Sequence, residues 1–356
     1  MSLFEPLTLR GVTFKNRIGV SPMCQYSATD GKANTWHLVH LGSRSVGGAG
    51  LVMAEASAVS PEGRISPADT GIWNDVHMQS WKPVVGFLQH TGTVAGIQLA
   101  HAGRKASTTE PWNGNHALDP DKRGWRPLLA PSAIEFSEQS PLPKAMDLAA
   151  IDKLVADFAA AARRAHAAGF EVIELHAAHG YLLHEFLSPI SNQRSDDYGG
   201  SFENRIRLLR RVIAAVRKVW PDNLPLFLRI SATDWAEPGV AAWDLEQSCA
   251  LVEAIKDDGV DLIDVSSGGS LPKAQIPIGP GFQTPFAAAI RQRTGVPTSA
   301  VGLITTPQQA DHIVRTGQAD FVMLAREMLR DPYWPRRAAE ALKVKIEAPV
   351  QYARAW

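Results

Sequence analysis

Residues 147–181 read DLAAIDKLVADFAAAARRAHAAGFEVIELHAAHGY, and this stretch contains the pattern that decides the fold. Asp147 precedes an alanine-rich segment that stops near Gly169, as expected of a helix with a capping residue at its start and a glycine at its end. The short apolar run Val172–Leu175 follows, and such a run is typical of a buried β-strand. The stretch therefore predicts a helix, then a buried strand, and then a polar loop that begins at His176.

The same alternation continues along most of the chain. We predict eight strands, at Arg17–Val20, Gly50–Ala54, Val94–Leu99, Val172–Leu175, Leu226–Ile230, Leu262–Val265, Thr298–Val301 and Phe321–Leu324. Helices are predicted at Thr35–Val46, Ile151–Ala168, Glu203–Val219, Asp244–Asp257 and Thr306–Thr316. Eight strands that are each followed by a helix predict an α/β protein whose parallel sheet closes into a (β/α)₈ TIM barrel. The alternative is an open, doubly wound sheet, but no strand is followed by the Gly-x-Gly-x-x-Gly motif of its nucleotide-binding members.

Three segments lie outside this alternation. Residues 6–14 alternate apolar and polar side chains around Arg10-Gly11, which predicts an N-terminal β-hairpin at the bottom of the barrel. Residues 104–146 follow the third strand and contain six prolines without a helical period, so we expect either a cap over the carboxyl ends of the strands or a disordered loop. Residues 344–356 form a tail, and residues 1–356 are expected to form a single domain.

The composition narrows the class of protein. Lysine plus arginine and aspartate plus glutamate number 36 each, and without a basic block we expect no nucleic-acid partner. No apolar stretch approaches the roughly 18 residues of a membrane span, and the N-terminus lacks the pattern of a signal peptide, so we expect a cytoplasmic protein with no membrane partner. Cys24 and Cys249 are the only cysteines, which are too few for a four-thiolate site, and we expect no metal.

The loop after the fourth strand carries His176, His179 and Tyr181. Two imidazoles three residues apart at a strand end can donate hydrogen bonds to one oxygen, and a phenol two residues later can donate a proton. Reduction of a carbonyl-activated double bond needs both groups. These residues alone leave two alternatives open, namely two buried histidines with a structural role or a pair of metal ligands.

Polar residues at the carboxyl ends of barrel strands are the ones that face a ligand. The further candidates at these positions are Ser21, Pro22, Met23, Cys24, Tyr26, Glu55, Ala56, Gln98, Arg229, Gly302, Ala325 and Arg326. The loops after the seventh and eighth strands form the usual phosphate site, which suits Arg326. Gln98 and Arg229 suit the flat heterocycle of a phosphorylated aromatic cofactor, although Arg229 in a structural ion pair is an equal alternative. The set contains no Ser/His/Asp arrangement and no carboxylate-rich metal site, which argues against hydrolysis.

Six motifs of the chain resemble those of the old yellow enzyme family. They are Asn16-Arg17-Ile18, Ser21-Pro22-Met23-Cys24-Gln25-Tyr26, Gln98-Leu99-Ala100-His101-Ala102-Gly103-Arg104-Lys105, His176-Ala177-Ala178-His179-Gly180-Tyr181, Asp197-Tyr198-Gly199-Gly200-Ser201-Phe202-Glu203-Asn204-Arg205 and Arg326-Glu327-Met328-Leu329-Arg330-Asp331-Pro332. The resemblance extends from about residue 3 to the C-terminus. Cys24 and the ending Pro349–Trp356 place the chain near the bacterial xenobiotic-reductase branch, also called thermophilic-like. Members of the family are FMN-dependent ene reductases on a (β/α)₈ barrel that NADPH or NADH reduces.

The resemblance implies a role for each matching position. Contacts with the flavin ring are implied for Ser21, Pro22, Met23, Cys24, Ala56, Gln98 and Arg229, and contacts with its phosphate end for Gly302, Ala325 and Arg326. The Cys24 thiol would tune the reduction potential of the flavin. Tyr26, His176 and His179 would bind the substrate, and Tyr181 would be the proton donor. One departure is Ala325, where relatives often have glycine.

The implied reaction has two halves at one site. NADPH or NADH passes a hydride to the flavin, and flavin N5 then passes it to an α,β-unsaturated aldehyde, ketone, imide or nitroalkene. Tyr181 would protonate the α-carbon of this activated alkene while the two histidines bind its oxygen. Three rivals are a flavin barrel that oxidises amines or reduces dienoyl-CoA, a flavin-free barrel lyase and a non-enzymatic protein that stores flavin or another ligand. The first requires cluster cysteines or a further domain.

The tail contains Tyr352, Arg354 and Trp356, and an aromatic and cationic ending is unusual for a solvated terminus. The resemblance implies a homodimer, or a homotetramer built from such dimers, in which Arg354 lines the substrate pocket of the neighbouring subunit. Trp356 would anchor the crossing segment. The alternative is a tail that packs on its own barrel.

Overall fold

The computed structural model describes residues 1–356, and its central feature is a closed barrel of eight parallel strands. The strands of the chain are β1 (Leu7–Leu9), β2 (Val12–Phe14), β3 (Ile18–Val20), β4 (Leu51–Ala58), β5 (Val94–Ala100), β6 (Leu129–Ala130), β7 (Lys144–Ala145), β8 (Val172–Ala177), β9 (Leu226–Ser231), β10 (Leu262–Ser266), β11 (Thr298–Ala300) and β12 (Phe321–Leu324). The helices are α1 (Thr35–Val46), α2 (Asp75–His90), α3 (Leu148–Ala168), α4 (Leu182–Leu187), α5 (Phe202–Arg217), α6 (Leu245–Ile255), α7 (Thr284–Thr294), α8 (Pro307–Arg315), α9 (Arg326–Arg330) and α10 (Trp334–Ala341). The barrel order is β3-β4-β5-β8-β9-β10-β11-β12, and β12 pairs with β3 to close it, so the predicted (β/α)₈ barrel is confirmed.

The helix and strand that decide the fold form as their sequence predicts. The Asp147 side chain accepts a hydrogen bond from the backbone N–H of Ala150 at 2.8 Å and caps α3. Gly169 ends the helix with φ +97°, a left-handed conformation that favours glycine. The apolar side of α3 is buried against the barrel, including Phe158. The cap, the apolar face and the terminal glycine together fix where β8 begins.

β4 is longer than predicted. It continues past Ala54 to Ala58, and a register shift against β5 between Ala54 and Ala56 marks a β-bulge. Because Glu55 is charged, the sequence predicts that the strand ends before it. In the fold, its carboxylate is buried and lies against His37. β-Bulges often redirect side chains beside active sites, and the bulge in β4 lies next to Ala56, one of the predicted site residues.

The predicted N-terminal hairpin closes the amino end of the barrel. β1 and β2 pair antiparallel, with Leu7 opposite Phe14. The Phe14 ring packs against Phe227 and Phe321 of the barrel, with centroid separations of 6.1 and 5.5 Å. These rings belong to a cluster of 11 buried apolar residues, so the lower barrel interior is apolar.

The upper barrel interior is polar. Alternate residues of a strand point to the same face of the sheet, so polar residues at the same level of neighbouring strands point into the barrel together. In the parallel register, His176 of β8 lies beside Arg229 of β9, which lies beside Asp264 of β10. Glu174 of β8 lies beside Gln98 of β5. The strands therefore carry a charged layer above the apolar one, just below the carboxyl-end mouth.

The predicted capping insertion covers that mouth. Residues 104–146 contain short 3₁₀ turns at Pro111–Asn113 and Pro120–Lys122, and the two-residue strands β6 and β7 pair in parallel near its end. Separately, none of the helices combines the length and apolar character needed to cross a membrane.

Candidate active site

A cavity of about 430 Å³ lies between the cap and the carboxyl ends of the strands. From the barrel side it is lined by Tyr26 and Tyr181, and from the capping insertion by residues that include Lys105, at its start, His116 and Phe136. Sequence reasoning predicted the two tyrosines but none of the cap residues, because a segment without a period gives no signal of which side chains turn inward. The cap therefore supplies much of the wall of the site.

The three predicted residues of the β8 loop lie together. The His176 ring is nearly perpendicular to the rings of His179 and Tyr181, at centroid distances of 5.1 and 5.0 Å. His176 Nδ1 accepts a hydrogen bond from the backbone N–H of Ala178 at 3.3 Å. Since an accepting nitrogen carries no proton in the neutral ring, Nε2 is the donor nitrogen of His176.

His179 is held by its neighbours in an uncommon backbone conformation. Its φ is +59°, its N–H donates to Ser231 Oγ at 2.9 Å, and its Nε2 lies 2.7 Å from Ser266 Oγ. Burial, with Arg229 nearby, holds the pKa of both His176 and His179 well below the usual 6.5. Both imidazoles are therefore neutral at neutral pH. The structure contains no group of three or more histidine, cysteine, aspartate or glutamate side chains placed to hold a metal ion.

The two phenols of the cavity remain protonated at neutral pH. Burial, together with the nearby Cys24 thiol and the negative charge of Asp69, raises the pKa of Tyr181 above its ordinary range. The pKa of Tyr26 is raised in the same direction, again mainly by burial. Tyr181 is thus available as a proton donor next to the two imidazole rings.

A buried polar network lies beneath the mouth. Gln98 Nε2 donates to Glu174 Oε1 at 2.7 Å, and Arg229 Nε lies 3.2 Å from Asp264 Oδ2. Burial, reinforced by the Asp264 charge, raises the pKa of Glu174 to about 8. Sequence reasoning missed Glu174 and Asp264; the available signal was a lone acid inside each of two otherwise apolar strands.

The residues predicted to contact a flavin ring fit such a group. Ser21 Oγ is buried without a hydrogen-bond partner, and the Arg229 guanidinium donates no hydrogen bond to the protein in spite of its ion pair with Asp264. Cys24 is partly buried, and this burial, with the nearby Asp69 and Glu55 carboxylates, raises the pKa of its thiol well above the usual value, so the thiol is neutral. Ala56 is small and lies beside Gln98 across the bulge. Unpartnered polar atoms next to small side chains are what a bound aromatic ring with polar edges requires.

The residues predicted for the phosphate end also fit. Gly302, after β11, has φ +122°, and a Cβ there would meet the side chain of Gln283 at 2.9 Å, so glycine is required. Ala325 has φ −100°, which lies outside the left-handed region that favours glycine, and ψ −99°. Arg326 is exposed and forms no ion pair within the chain, which leaves its charge available for a phosphate.

Comparison with known proteins identifies the family. The chain matches the NADH:flavin oxidoreductase / NADH oxidase family over residues 2–345. The chain belongs to this family. An NADPH dehydrogenase of Geobacillus thermodenitrificans is 51% identical, over 99% of this chain and 98% of the relative.

Solved structures agree with this assignment. Morphinone reductase in complex with tetrahydroNAD is 25% identical with a TM-score of 0.80, over 99% of this chain and 94% of that one. An old yellow enzyme homologue from Zymomonas mobilis is 25% identical with a TM-score of 0.77, over 99% of this chain and 96% of that one. The protein is therefore an NADPH dehydrogenase of the old yellow enzyme type, with FMN as its cofactor and NADPH or NADH as its reductant.

In this flavin oxidoreductase, Glu55 has a role that the sequence did not reveal. Glu55 Oε1 lies 3.2 Å from His37 Nε2, and Glu55 Oε2 accepts a hydrogen bond from the backbone N–H of Gln25. Gln25 lies between Cys24 and Tyr26, and Tyr26 has φ +49°. The carboxylate therefore holds the loop that presents both residues to the mouth.

The C-terminal tail of the flavin oxidoreductase packs against its own chain. The Trp356 ring lies 6.4 Å from that of Tyr333 and 5.0 Å from the guanidinium carbon of Arg336. Arg354 is exposed, has no hydrogen bond or ion pair within the chain, and is absent from the lining of the 430 Å³ cavity. The structure thus groups His176, His179 and Tyr181, and it leaves Arg354 away from the cavity of its own chain.

Proposed function

We propose that this NADPH dehydrogenase reduces the activated C=C bond of α,β-unsaturated aldehydes, ketones, imides or nitroalkenes. The observation that carries the proposal is the grouping of His176 with His179 and Tyr181, of which Tyr181 lines a cavity large enough for a small substrate. Two neutral imidazoles and a protonated phenol supply hydrogen-bond donors and an acid, but no strong nucleophile. That set favours reduction of a polarised double bond over hydrolysis.

The histidines bind and polarise the substrate oxygen. His176 Nε2 is a free donor because Nδ1 is occupied by Ala178. His179 Nε2 contacts Ser266 Oγ, and a bound carbonyl or nitro oxygen replaces this hydroxyl as the hydrogen-bond partner of Nε2. Each donor placed against the developing negative charge is worth about 3 kcal/mol of barrier, by comparison with deletions of oxyanion-hole donors.

Tyr181 protonates the α-carbon. Its burial keeps the phenol in the acid form until the carbon becomes basic. When bound, FMN supplies the hydride that adds to the β-carbon. The Arg229 cation would stabilise negative charge on the bound cofactor, and its ion pair with Asp264 orients the guanidinium.

The cofactor is held by residues of six strand ends. Those we assign to the ring are Ser21, Pro22, Met23, Cys24, Ala56, Gln98 and Arg229, and those we assign to the phosphate are Gly302, Ala325 and Arg326. The Cys24 thiol, kept neutral by burial, tunes the reduction potential without forming a covalent bond. Tyr26 lies on the cavity wall and contacts the substrate.

We also propose that the enzyme is a homodimer, or a homotetramer of such dimers, in which Arg354 reaches the substrate pocket of the partner. An exposed arginine without a partner in its own chain, on a tail whose Val350 is 85% exposed, supports this arrangement. The positive charge of Arg354 would add to the polarisation of the substrate oxygen.

The double variant His176→Ala/His179→Ala tests the reaction. Anaerobic stopped-flow absorbance follows flavin reduction by NADPH and flavin reoxidation by an enone as separate steps. We expect the enone step to slow by at least about a hundredfold, the effect of one lost donor, and by up to about ten-thousandfold when the two losses add, and flavin reduction to slow much less.

The control is His90→Ala/His312→Ala, which removes two exposed imidazoles from helix surfaces. It should behave as the parent does in both steps. Unchanged enone turnover in the His176/His179 variant would refute the proposed role of these histidines.

A further inference from the structure

One buried cation has no part in the chemistry proposed above. Lys105 follows β5 in a 3₁₀ turn, Gly103–Lys105, and lies on the wall of the substrate cavity. Its Nζ donates to the backbone carbonyl of His179 at 2.8 Å and to that of Gly269 at 3.0 Å. One ammonium group thus joins the loop after β8 to the loop after β10.

These two loops already approach each other closely. A Cβ at Gly180 would overlap the carbonyl oxygen of Gly269, and a Cβ at Gly269 would overlap the backbone of His179. Both glycines have positive φ, at +72° and +99°. The Lys105 ammonium therefore bridges two loops that are already in close contact, since it donates to the carbonyl of each.

The same ammonium contacts the cap. Nζ lies 4.6 Å from the centroid of the Phe136 ring and 5.1 Å from that of Tyr181. The preceding residue adds parallel links, because Arg104 donates to the carbonyls of Glu135 in the cap and Ser270 after β10, each at 3.1 Å. Adjacent cations therefore connect three segments around the substrate cavity.

His179 needs such support. A non-glycine residue at φ +59° is strained, and strained residues persist only where several contacts fix them. The Ser231 hydroxyl holds its N–H, and Lys105 holds its carbonyl. With both ends of the residue fixed, the imidazole is held beside the His176 ring.

We propose that Lys105 is a positioning residue of the substrate site, whose ammonium group fixes the His179–Tyr181 loop against Gly269 and ties it to Phe136 of the cap. The meaning of this role for catalysis rests on the proposed function of His179 and Tyr181. The clamp itself is a property of the chain and can be measured without any substrate.

Burial disfavours the charged form of Lys105, so an ammonium group at this position supports a specific role. Burial lowers the pKa of Lys105 to about 8; the Glu185 carboxyl on α4 opposes this shift, and the Arg104 cation adds to it. Burial also raises the pKa of Glu185 to about 8. The other titratable groups around Lys105 are His176, His179 and Tyr181. Its remaining neighbours, Phe136 and Gly269, carry no charge. Below about pH 8 the lysine is an ammonium that donates to both carbonyls, and above it the positive charge is lost.

The test compares Lys105→Met, which keeps the unbranched stem without the charge, with Lys105→Arg, which keeps a cation that does not titrate. Lys82→Met, at an exposed position on α2, is the matched control. Hydrogen–deuterium exchange on the FMN-loaded protein without substrate reports on the amides of residues 178–181. Loss of two charge-assisted hydrogen bonds should speed their exchange about tenfold or more in Lys105→Met, with other regions unchanged.

Lys105→Arg should recover at least part of the protection, and Lys82→Met should match the parent. The ratio of parent to Lys105→Arg exchange at the same amides should rise above about pH 8, because only the lysine loses its charge. The intrinsic exchange rate and the titration of Glu185 are common to both proteins and leave this ratio unaffected.

Binding of 4-nitrophenol, read from its absorbance, and the two half-reactions complete the test. Lys105→Met should bind the phenol about tenfold more weakly and slow the enone step more than flavin reduction by NADPH. Parent-like exchange in Lys105→Met, no recovery with arginine, or faster exchange throughout the barrel with loss of FMN would each overturn the proposal. A parent enzyme that reduces no enone would instead defeat the proposed function, while the exchange data would still decide the role of Lys105.

Discussion

His176, His179 and Tyr181 could be predicted as a group because they lie within six positions of one another at one strand end. Local spacing fixes their proximity once the strand is recognised. Lys105 is different, since its bond to His179 spans 74 positions of the chain. No local pattern indicates which carbonyl a lysine will reach, so its contact emerged only from the folded chain. The same holds for the acceptor state of His176 Nδ1, which depends on how the loop turns back on itself.

At this scale, Tyr181→Phe tests the proton donor. We expect protonation of the α-carbon to slow by about a hundredfold or more for weakly activated enones, the range that general acids contribute. Nitroalkenes should be affected less, because their reduced anion can be protonated later by water. Flavin reduction by NADPH should change little, and stopped-flow absorbance of the two half-reactions measures the contrast.

Tyr26→Phe is the matched control, as it removes the other phenol of the same cavity. It should alter substrate affinity more than the rate of protonation. A Tyr181→Phe enzyme in which flavin reduction alone is slow would contradict the assignment.

Among the elements, the strands were the most predictable, since short apolar runs separated by helices leave few alternatives. The bulge in β4 was not predictable, because Glu55 reads as a polar strand end until its buried partner His37 is known. The pairing of Glu174 with Gln98 and of Arg229 with Asp264 follows from the register between strands. Register joins distant parts of the chain, so the charged layer inside the barrel emerged only when the strands were placed side by side.

This layer predicts a pH dependence of stability. The pKa of Glu174 is raised from 4.5 to about 8 in the folded protein, so between these values the folded state retains a proton that the unfolded state has lost. The contribution of Glu174 to stability is therefore present below about pH 4.5 and is lost as pH rises to about 8. Glu174→Gln, which keeps an acceptor for Gln98, removes this dependence.

The free energy of unfolding of the parent should thus fall relative to that of Glu174→Gln across this window, by up to roughly 1.4 kcal/mol for each unit of pKa shift. Denaturant unfolding at a series of pH values measures the difference. Asp69 and Glu185 also have raised pKa values but are common to both proteins. Exposed Glu340→Gln is the control and should show no such trend; a constant difference between the parent and Glu174→Gln would disprove the buried proton.

At the scale of the whole molecule, the sequence predicted the barrel, its hairpin, its cap and its family. The predicted site residues come from most strand ends, and parallel strands of a closed barrel share one carboxyl-end face. The tail could not be placed in the same way. Its aromatic and cationic residues indicate a contact, but whether the contact is with the same chain or another depends on assembly.

Removing residues 350–356 tests the assembly. The truncated protein should stay yellow, since no predicted cofactor ligand lies in the tail, but should bind substrate more weakly and associate less. Light scattering gives the mass in solution, and titration with a substrate analogue gives the affinity. Arg354→Ala is the finer variant, expected to weaken substrate binding while the mass is unchanged. A fully active monomer, or a truncated protein identical to the parent, would rule out a shared site.

The hairpin that packs Phe14 beneath the barrel has a consequence for kinetics. With the amino end sealed by apolar side chains, the nicotinamide donor and the proposed alkene acceptor must enter and leave through the same opening under the cap. The donor and the acceptor then compete for one binding site. High concentrations of acceptor should inhibit turnover by excluding NADPH from the oxidised enzyme, and double-reciprocal plots should give the parallel lines of a ping-pong reaction.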